Sequence, residues 1–224
     1  MRMKHPTTMK ALASGAGVTA LFGTYRRWHL RWGATGEEVL RIMPGDEIIE
    51  HPTFDATRAV TVAARPEDVW PWIVQIGFGR AGWYSYDLLD NLGRGSAEAI
   101  IPKLQHIRVG DVVPIGPGGQ GQFITSFEPN HWVVWSDRKR ATWTWGIYPS
   151  ETGGTRLVTR VRIRYDWTSP TILFSLLLVE PWDFPMMRKC LLGIKRRAEA
   201  LARSRELPTV STGLERGGRV HARR

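Results

Sequence analysis

Residues 155–167, TRLVTRVRIRYDW, alternate strictly in character. Leu157, Thr159, Val161, Ile163, Tyr165 and Trp167 fall on one side of an extended chain. Arg156, Arg160, Arg162 and Arg164 fall on the other, with Val158 among them. A period of two with one dry and one wet face predicts an antiparallel sheet that covers a core from one side only. The segments before it, GDVVPIG, QFITSFE, HWVVWSD and ATWTWGIYP, read as further strands. They are separated by GPGGQGQ, by Pro129-Asn130 and by DRKR, which are hairpin signals. A dry sheet face needs a cover. Met187, Leu191, Ile194, Ala198 and Leu201 repeat at helical spacing, with Arg188, Lys195, Arg196 and Glu199 elsewhere around the turn. That is an amphipathic helix of about five turns whose stripe fits the sheet.

Upstream, Arg58–Ala63 is rich in β-branched residues and predicts a strand. Pro66-Glu67-Asp68 opens a helix, and Val69, Trp72, Ile73 and Ile76 form its buried stripe. Pro71 fits that helix without loss if Asp68 is the N-cap. GFGRAG (77–82) has the spacing of a dinucleotide loop, but a helix precedes it and the bulky WYSYD follows. A nucleotide loop needs a strand before the glycines and a helix opening at them. The glycines are therefore expected to end the helix at Gly77 and to permit a tight turn, and no cofactor is expected.

Charge excludes another class. The net charge of +10 comes mainly from the ends. Residues 1–32 hold six basic groups and no acid, and residues 207–224 hold four arginines and one glutamate. The middle of the chain is nearly neutral and lacks the concentrated positive face that phosphate neutralisation requires, so nucleic acid is not an expected partner. Cys190 stands alone and cannot form an internal disulfide, and the scattered histidines have no metal-ligand spacing. His106 and His131 are expected at exposed strand ends, and no triad spacing surrounds them.

Residues 11–23 are apolar but short of the ~20 residues that span a bilayer. Tyr25, Trp28 and Trp32 then interleave with Arg26, Arg27 and Arg31. Such an arm either packs on the domain or meets an anionic membrane surface, where indoles and guanidiniums sit at headgroup depth. A cytoplasmic protein, peripheral at or anchored to the membrane, is the expectation. TILFSLLLV (171–179) is apolar on every side and is either buried or in contact with lipid. The tail 207–224 has the composition of a disordered segment.

Three stretches carry a family resemblance: RAVTVAARPEDVWPWIVQIGFGRAGWYSYDLLDNLG, IPKLQHIRVGDVVP and EPWDFPMMRKCLLGIKRRAE. Over about residues 57–205 the chain resembles the helix-grip fold of the polyketide cyclase / START-like superfamily, often labelled SRPBCC. RWGATGEEVLRIMPGDEIIEHP resembles the lead-in of an actinobacterial-type branch. The chain then divides into an arm (1–32), a lead-in (33–56), a START-like domain (57–206) and a basic tail (207–224). The resemblance implies an α+β fold in which a curved antiparallel sheet wraps a long C-terminal helix around an apolar cavity. Members bind sterols, phospholipids, polyketides and plant hormones, and a minority catalyse aromatase or cyclase reactions. The superfamily has no shared catalytic motif, so no catalyst is carried over, and fold alone does not establish a reaction.

The candidate site residues follow from pocket chemistry, apolar walls with a few oriented polar groups. Trp143 and Trp145, with Ile147, share a strand face and would supply broad rigid walls, or simply core. Trp83 and Tyr86 from the aromatic loop, with Met187 and Leu191 from the long helix, would close the same space. Arg80, Tyr84, Ser85, Tyr86 and Asp87 would form its polar end, Arg80 meeting a carboxylate or phosphate. Asp87 alternatively caps the short helix DLLDNL. Three functions fit: a non-catalytic carrier of an apolar small molecule or lipid, a cyclase or dehydratase using the same cavity, and a membrane-attached structural protein with a filled cavity.

Overall fold

The computed structural model describes residues 21, 23–169 and 180–206. TILFSLLLV, the tail 207–224, and all but residues 21 and 23 of the apolar run lie outside the described residues. Within them the helices are α1 (residues 23–30), α2 (Gly36–Leu40), α3 (Pro66–Val74), α4 (Asp87–Asp90) and α5 (Glu180–Glu206). The strands are β1 (Phe54–Val62), β2 (Val112–Pro114), β3 (Gly121–Glu128), β4 (Trp132–Ser136), β5 (Ala141–Pro149) and β6 (Thr155–Ile163). They form one antiparallel sheet in the order β1-β6-β5-β4-β3-β2. The first strand thus pairs with the last, and the remaining strands follow as hairpins. With α5 against the sheet, this is the helix-grip arrangement, an α+β fold.

The inner face is the one the alternation predicts. Leu157 of β6, Trp145 and Ile147 of β5, and Val133 and Trp135 of β4 join Val60 and Val62 of β1 in a single core. Met187, Leu191, Ile194 and Ala198 of α5 fill it from the helix side. α5 is longer than its periodic stripe suggests. It starts at Glu180, with Pro181 in the first turn, where a missing N–H costs nothing, and it contains Pro185. At 27 residues it extends for about 40 Å at 1.5 Å per residue.

The outer face corrects the expectation of a wet surface. The lead-in lies across it. Met43 packs with Ala59 and Val158, and Ala34 and Tyr148 pack alongside. The arginines of β6 are consequently not solvated. The Arg160 guanidinium is buried and donates to Thr57 Oγ1, to the carbonyls of Glu38, Val39 and Arg41, and to Asp46 Oδ2. Arg156 pairs with Glu38 at 2.6 Å, and Arg162 lies 3.3 Å from Asp46. Alternating arginine reads as a solvent face only if nothing covers it. Here GEEVLRIMPGDE supplies two acids and a row of carbonyls, which the guanidiniums bind. α2 is held in place by a reciprocal capping box between Thr35 and Glu38.

Two local expectations also change. α3 begins at Pro66, with Arg65 as N-cap, so Pro71 is interior and not in the first turn. The helix ends at Val74, before Gly77. Gly77 and Gly82 instead exchange backbone hydrogen bonds of 3.2 Å, closing a small loop on itself. Gly82 has φ +77°, and an added Cβ would fall 2.5 Å from Ser96 Oγ, so glycine is required there by conformation and space alike.

Candidate functional site

A pocket of about 350 Å³ opens between the aromatic loop, the β2–β3 turn, β5 and the N-terminal half of α5. Its walls are mostly carbon. Trp83 and Trp143 stand nearly parallel, ring centroids 5.5 Å apart and planes 4° apart. Ile115 comes from the turn, and Trp182, Met186 and Met187 come from α5. Trp182, Asp183, Met186, Met187 and Cys190 recur at helical spacing, so one face of α5 presents them together. Trp182 is 57% exposed and forms the rim.

Polar groups are few. Ser85 Oγ donates to the Met186 carbonyl at 3.0 Å. Asp183 pairs with Arg58, buried on the inner face of β1, at 2.7 Å. Arg58 Nε donates to the His29 carbonyl at 2.8 Å, and that bond ties α1 to the same corner. Cys190 is fully buried, and burial pushes its thiol far above its ordinary pKa, so it stays protonated and a poor nucleophile. Asp90, the last residue of α4, has both carboxylate oxygens buried, and neither receives a hydrogen bond of ordinary geometry. Burial raises its pKa foremost; Ser85 opposes this, and the negative charge of Asp87 adds to it. The buried Trp83 Nε1–H likewise has no acceptor.

The sequence-derived candidates are distributed unevenly around this pocket. Trp83, Trp143 and Met187 line it. Trp145 and Leu191 do not; both are wholly buried behind it, Trp145 stacking on Trp143 at 5.4 Å. Tyr84 is turned into the core by a positive φ of 56°. Its hydroxyl donates to the Trp72 carbonyl at 3.1 Å and accepts from Gln75 Nε2 at 2.9 Å, and burial pushes its pKa up. Tyr86 faces outward under the Lys189 ammonium, which lies 3.8 Å from its ring centroid. Asp87 is the first residue of α4 and makes no cap bond; its carboxylate accepts from Ser96 Oγ. Arg80 lies against the end of α3, donating Nη2 to the Val74 carbonyl at 2.8 Å, and burial pulls its pKa down. One nitrogen of its guanidinium is thus engaged by the fold itself, while its buried Nε has no hydrogen-bond partner.

Asp90, Asp183 and Trp182 were not singled out by sequence reasoning. A signal existed for the α5 pair: the helical period of Met187 and Leu191 runs back through Asp183. Pro181 and Pro185 disguised it as a break. His106 and His131 are exposed, as expected. Among the described residues no group of three or more His, Cys, Asp or Glu is gathered for a metal. Among the same residues no helix is long and apolar enough to cross a membrane.

The fold and pocket together define a helix-grip protein with a carbon-walled pocket between sheet and helix. No family model and no curated protein matches the chain. Solved structures similar to it include the di-domain ARO/CYC StfQ from the steffimycin biosynthetic pathway, 16% identical, covering 68% of this chain and 52% of that one with a TM-score of 0.37. The Polyketide_cyc-like protein Cgl2372 from Corynebacterium glutamicum is 15% identical, with coverages of 68% and 91% and a TM-score of 0.32. Protein SA2116 of unknown function from Staphylococcus aureus is 11% identical, with coverages of 68% and 94% and a TM-score of 0.38. At such values no ligand or reaction passes from those proteins to this chain.

Proposed function

We propose that the protein is a START-like binding protein that holds a small apolar molecule in the pocket between Trp83, Trp143 and α5, without transforming it. The observation that carries this is the pocket itself. About 350 Å³ lies within the range of small-molecule sites, and its wall is almost wholly carbon. The space left among the described residues supports this reading over that of a filled-cavity structural protein. The polar groups favour holding over turnover: burial keeps the thiol protonated, Ser85 is hydrogen-bonded to backbone, and no histidine or lysine is among the described residues that line the space. The test is titration with the neutral probe N-phenyl-1-naphthylamine, read by probe emission and tryptophan quenching. Saturable binding at one site per chain is expected. Trp143→Ala, which removes a wall, should weaken it by ~1–3 kcal/mol. Absence of saturable binding would refute the reading.

We further infer contact with an anionic membrane through α1. Leu30 and Trp32 of the arm pack on the domain, but Tyr25 and Trp28 remain exposed beside the exposed Arg27 and Arg31. Each basic residue near an anionic surface contributes about 1 kcal/mol. Co-sedimentation with phosphatidylserine vesicles that falls with salt is expected, and it should weaken in Arg27→Gln/Arg31→Gln. Binding indifferent to salt and to both substitutions would exclude this surface.

A further inference from the structure

We propose that the pocket selects an apolar amine, its hydrocarbon body against Trp83 and Trp143 and its ammonium on the Asp90 carboxylate. This rests on the reading of the pocket as a ligand site and adds the ligand's charge to it.

The argument starts from unequal treatment of the two acids in the pocket. Asp183 has a counter-charge in Arg58 at 2.7 Å. Asp90 has none. Both of its oxygens are buried, the donors close to it among the described residues (the Ser85 hydroxyl and the Tyr86 and Asp90 amides) meet neither with ordinary hydrogen-bond geometry, and the charge that acts on it is another anion, Asp87. The Ser85 hydroxyl donates its one proton to the Met186 carbonyl, so its pull on Asp90, like that of the nearby Tyr86 and Asp90 amides, falls short of a hydrogen bond of ordinary geometry. The cations of α5 are engaged elsewhere: Lys189 sits over Tyr86, and Arg197 pairs with Glu98 at 2.6 Å. No lysine, arginine or histidine is among the described residues that line the space. A buried acceptor without a well-aligned partner is costly, and one that faces a pocket is satisfied most simply by a donor bound there.

Three properties of the site then specify the missing group. It must donate hydrogen bonds, because a carboxylate only accepts. A positive charge serves better than a neutral donor, because water-excluding walls strengthen the attraction. The indole faces of Trp83, Trp143 and Trp182 also attract a cation. A carboxylate or phosphate ligand would instead meet Asp90 as a like charge. The Trp83 N–H, the complementary orphan, calls for an oxygen on the same molecule but selects no charge. Binding of this kind makes and breaks no covalent bond.

The test uses the full chain and three ligands with the same ten-carbon tail, decylamine, decanol and decanoate, each below its aggregation limit. They compete against N-phenyl-1-naphthylamine. Decylamine should displace the probe about tenfold or more better than decanol, the least that a buried charge pair contributes, with decanoate weakest. In Asp90→Asn the amine's advantage over the alcohol should disappear. In Glu67→Gln, an exposed acid on α3 that does not line the pocket, it should persist. Equal affinities of amine and alcohol in a protein that binds the probe would overturn the amine inference and leave the pocket reading standing. Failure of the probe itself would remove both. Circular dichroism of each variant separates lost selectivity from lost fold, and an amine preference that survives in folded Asp90→Asn would also refute the assignment.

Discussion

Replacing Arg160 by methionine tests whether the covered outer face is a designed clasp or an incidental contact. Methionine keeps the unbranched stem, so little volume is lost and the cavity contribution is small. What disappears is the guanidinium, all five of whose N–H groups are engaged: Nε with Thr57, Nη1 with the Arg41 carbonyl and Asp46, Nη2 with the carbonyls of Glu38 and Val39. Removing one partner of a buried ion pair destabilises by about 3–5 kcal/mol, because the other is left uncompensated. Asp46 would keep Arg162 at 3.3 Å, which places the expected loss toward the lower end. The loss also has a ceiling. Once it exceeds what docks the lead-in, residues 35–49 detach and their carbonyls regain water. Urea unfolding should therefore show a loss of about 3 kcal/mol, and amide exchange in residues 35–49 should accelerate more than in β5. Arg160→Lys, with three donors on a single nitrogen, should fall between the two proteins. A loss below about 1 kcal/mol, the range of an exposed pair, with unchanged exchange in residues 35–49, would refute the clasp.

Other expectations are narrower. Trp145→Ala should lower stability by ~3–5 kcal/mol, measured by urea unfolding, since Trp145 is core and not wall. Gly193→Ala places a Cβ onto the Tyr84 carbonyl and 2.7 Å from Tyr84 Cβ, so thermal melting should show a loss of about 1–3 kcal/mol despite alanine's better helix propensity. For Glu38, burial alone would raise the pKa, but the Arg156 pair and the Thr35 amide more than offset it, and the net shift is downward from 4.5. A carboxylate lowered in the folded state stabilises above its unfolded pKa and loses that stabilisation as pH falls through the folded one. The stability difference between wild type and Glu38→Gln should accordingly shrink on acidification below 4.5. Asp90 has the opposite sign: its raised pKa destabilises the folded state when the unfolded chain is ionised. Asp90→Asn should be the more stable protein at neutral pH, with the gap closing as acid protonates Asp90 in both states.

Period is what a sequence displays most clearly, and the elements read correctly are those where period alone decides. The inner face of β6, the hairpin order and the buried stripe of α5 each follow from a repeat of two or of three to four. The errors arise where a second segment changes the meaning of a pattern. Arg156, Arg160 and Arg162 alternate as a solvent face would, and nothing within β6 reveals that Glu38, Asp46 and a row of carbonyls will cover them. β1 illustrates the same limit: it begins at Phe54, four residues before the β-branched run, because pairing with Ile163 extends it. The prolines at 181 and 185 conceal the start of α5 for a related reason, since their compatibility with a helix depends on position in the first turns.

The pocket shows how far such reasoning reaches toward function. Aromatic residues were an informative but ambiguous signal, because an indole that lines a cavity and one that fills a core have the same composition. Trp143 and Trp145 lie two residues apart on one strand face, yet only Trp143 reaches the pocket, while Trp145 is sealed between it and Trp135. The polar candidates show a different limit. Arg80, Tyr84 and Asp87 looked available for a ligand because sequence shows a group without its partners, whereas the fold engages Arg80 Nη2 with Val74, Tyr84 with Trp72 and Gln75, and Asp87 with Ser96, leaving Arg80 Nε buried without a partner. Asp90 stood only three residues beyond Asp87, on the same short helix, and was indistinguishable from it in one dimension. What separates the two is the presence or absence of a partner. The proposed ligand site therefore rests on a poorly satisfied group facing a carbon-walled space, and both conditions exist only once the chain has folded.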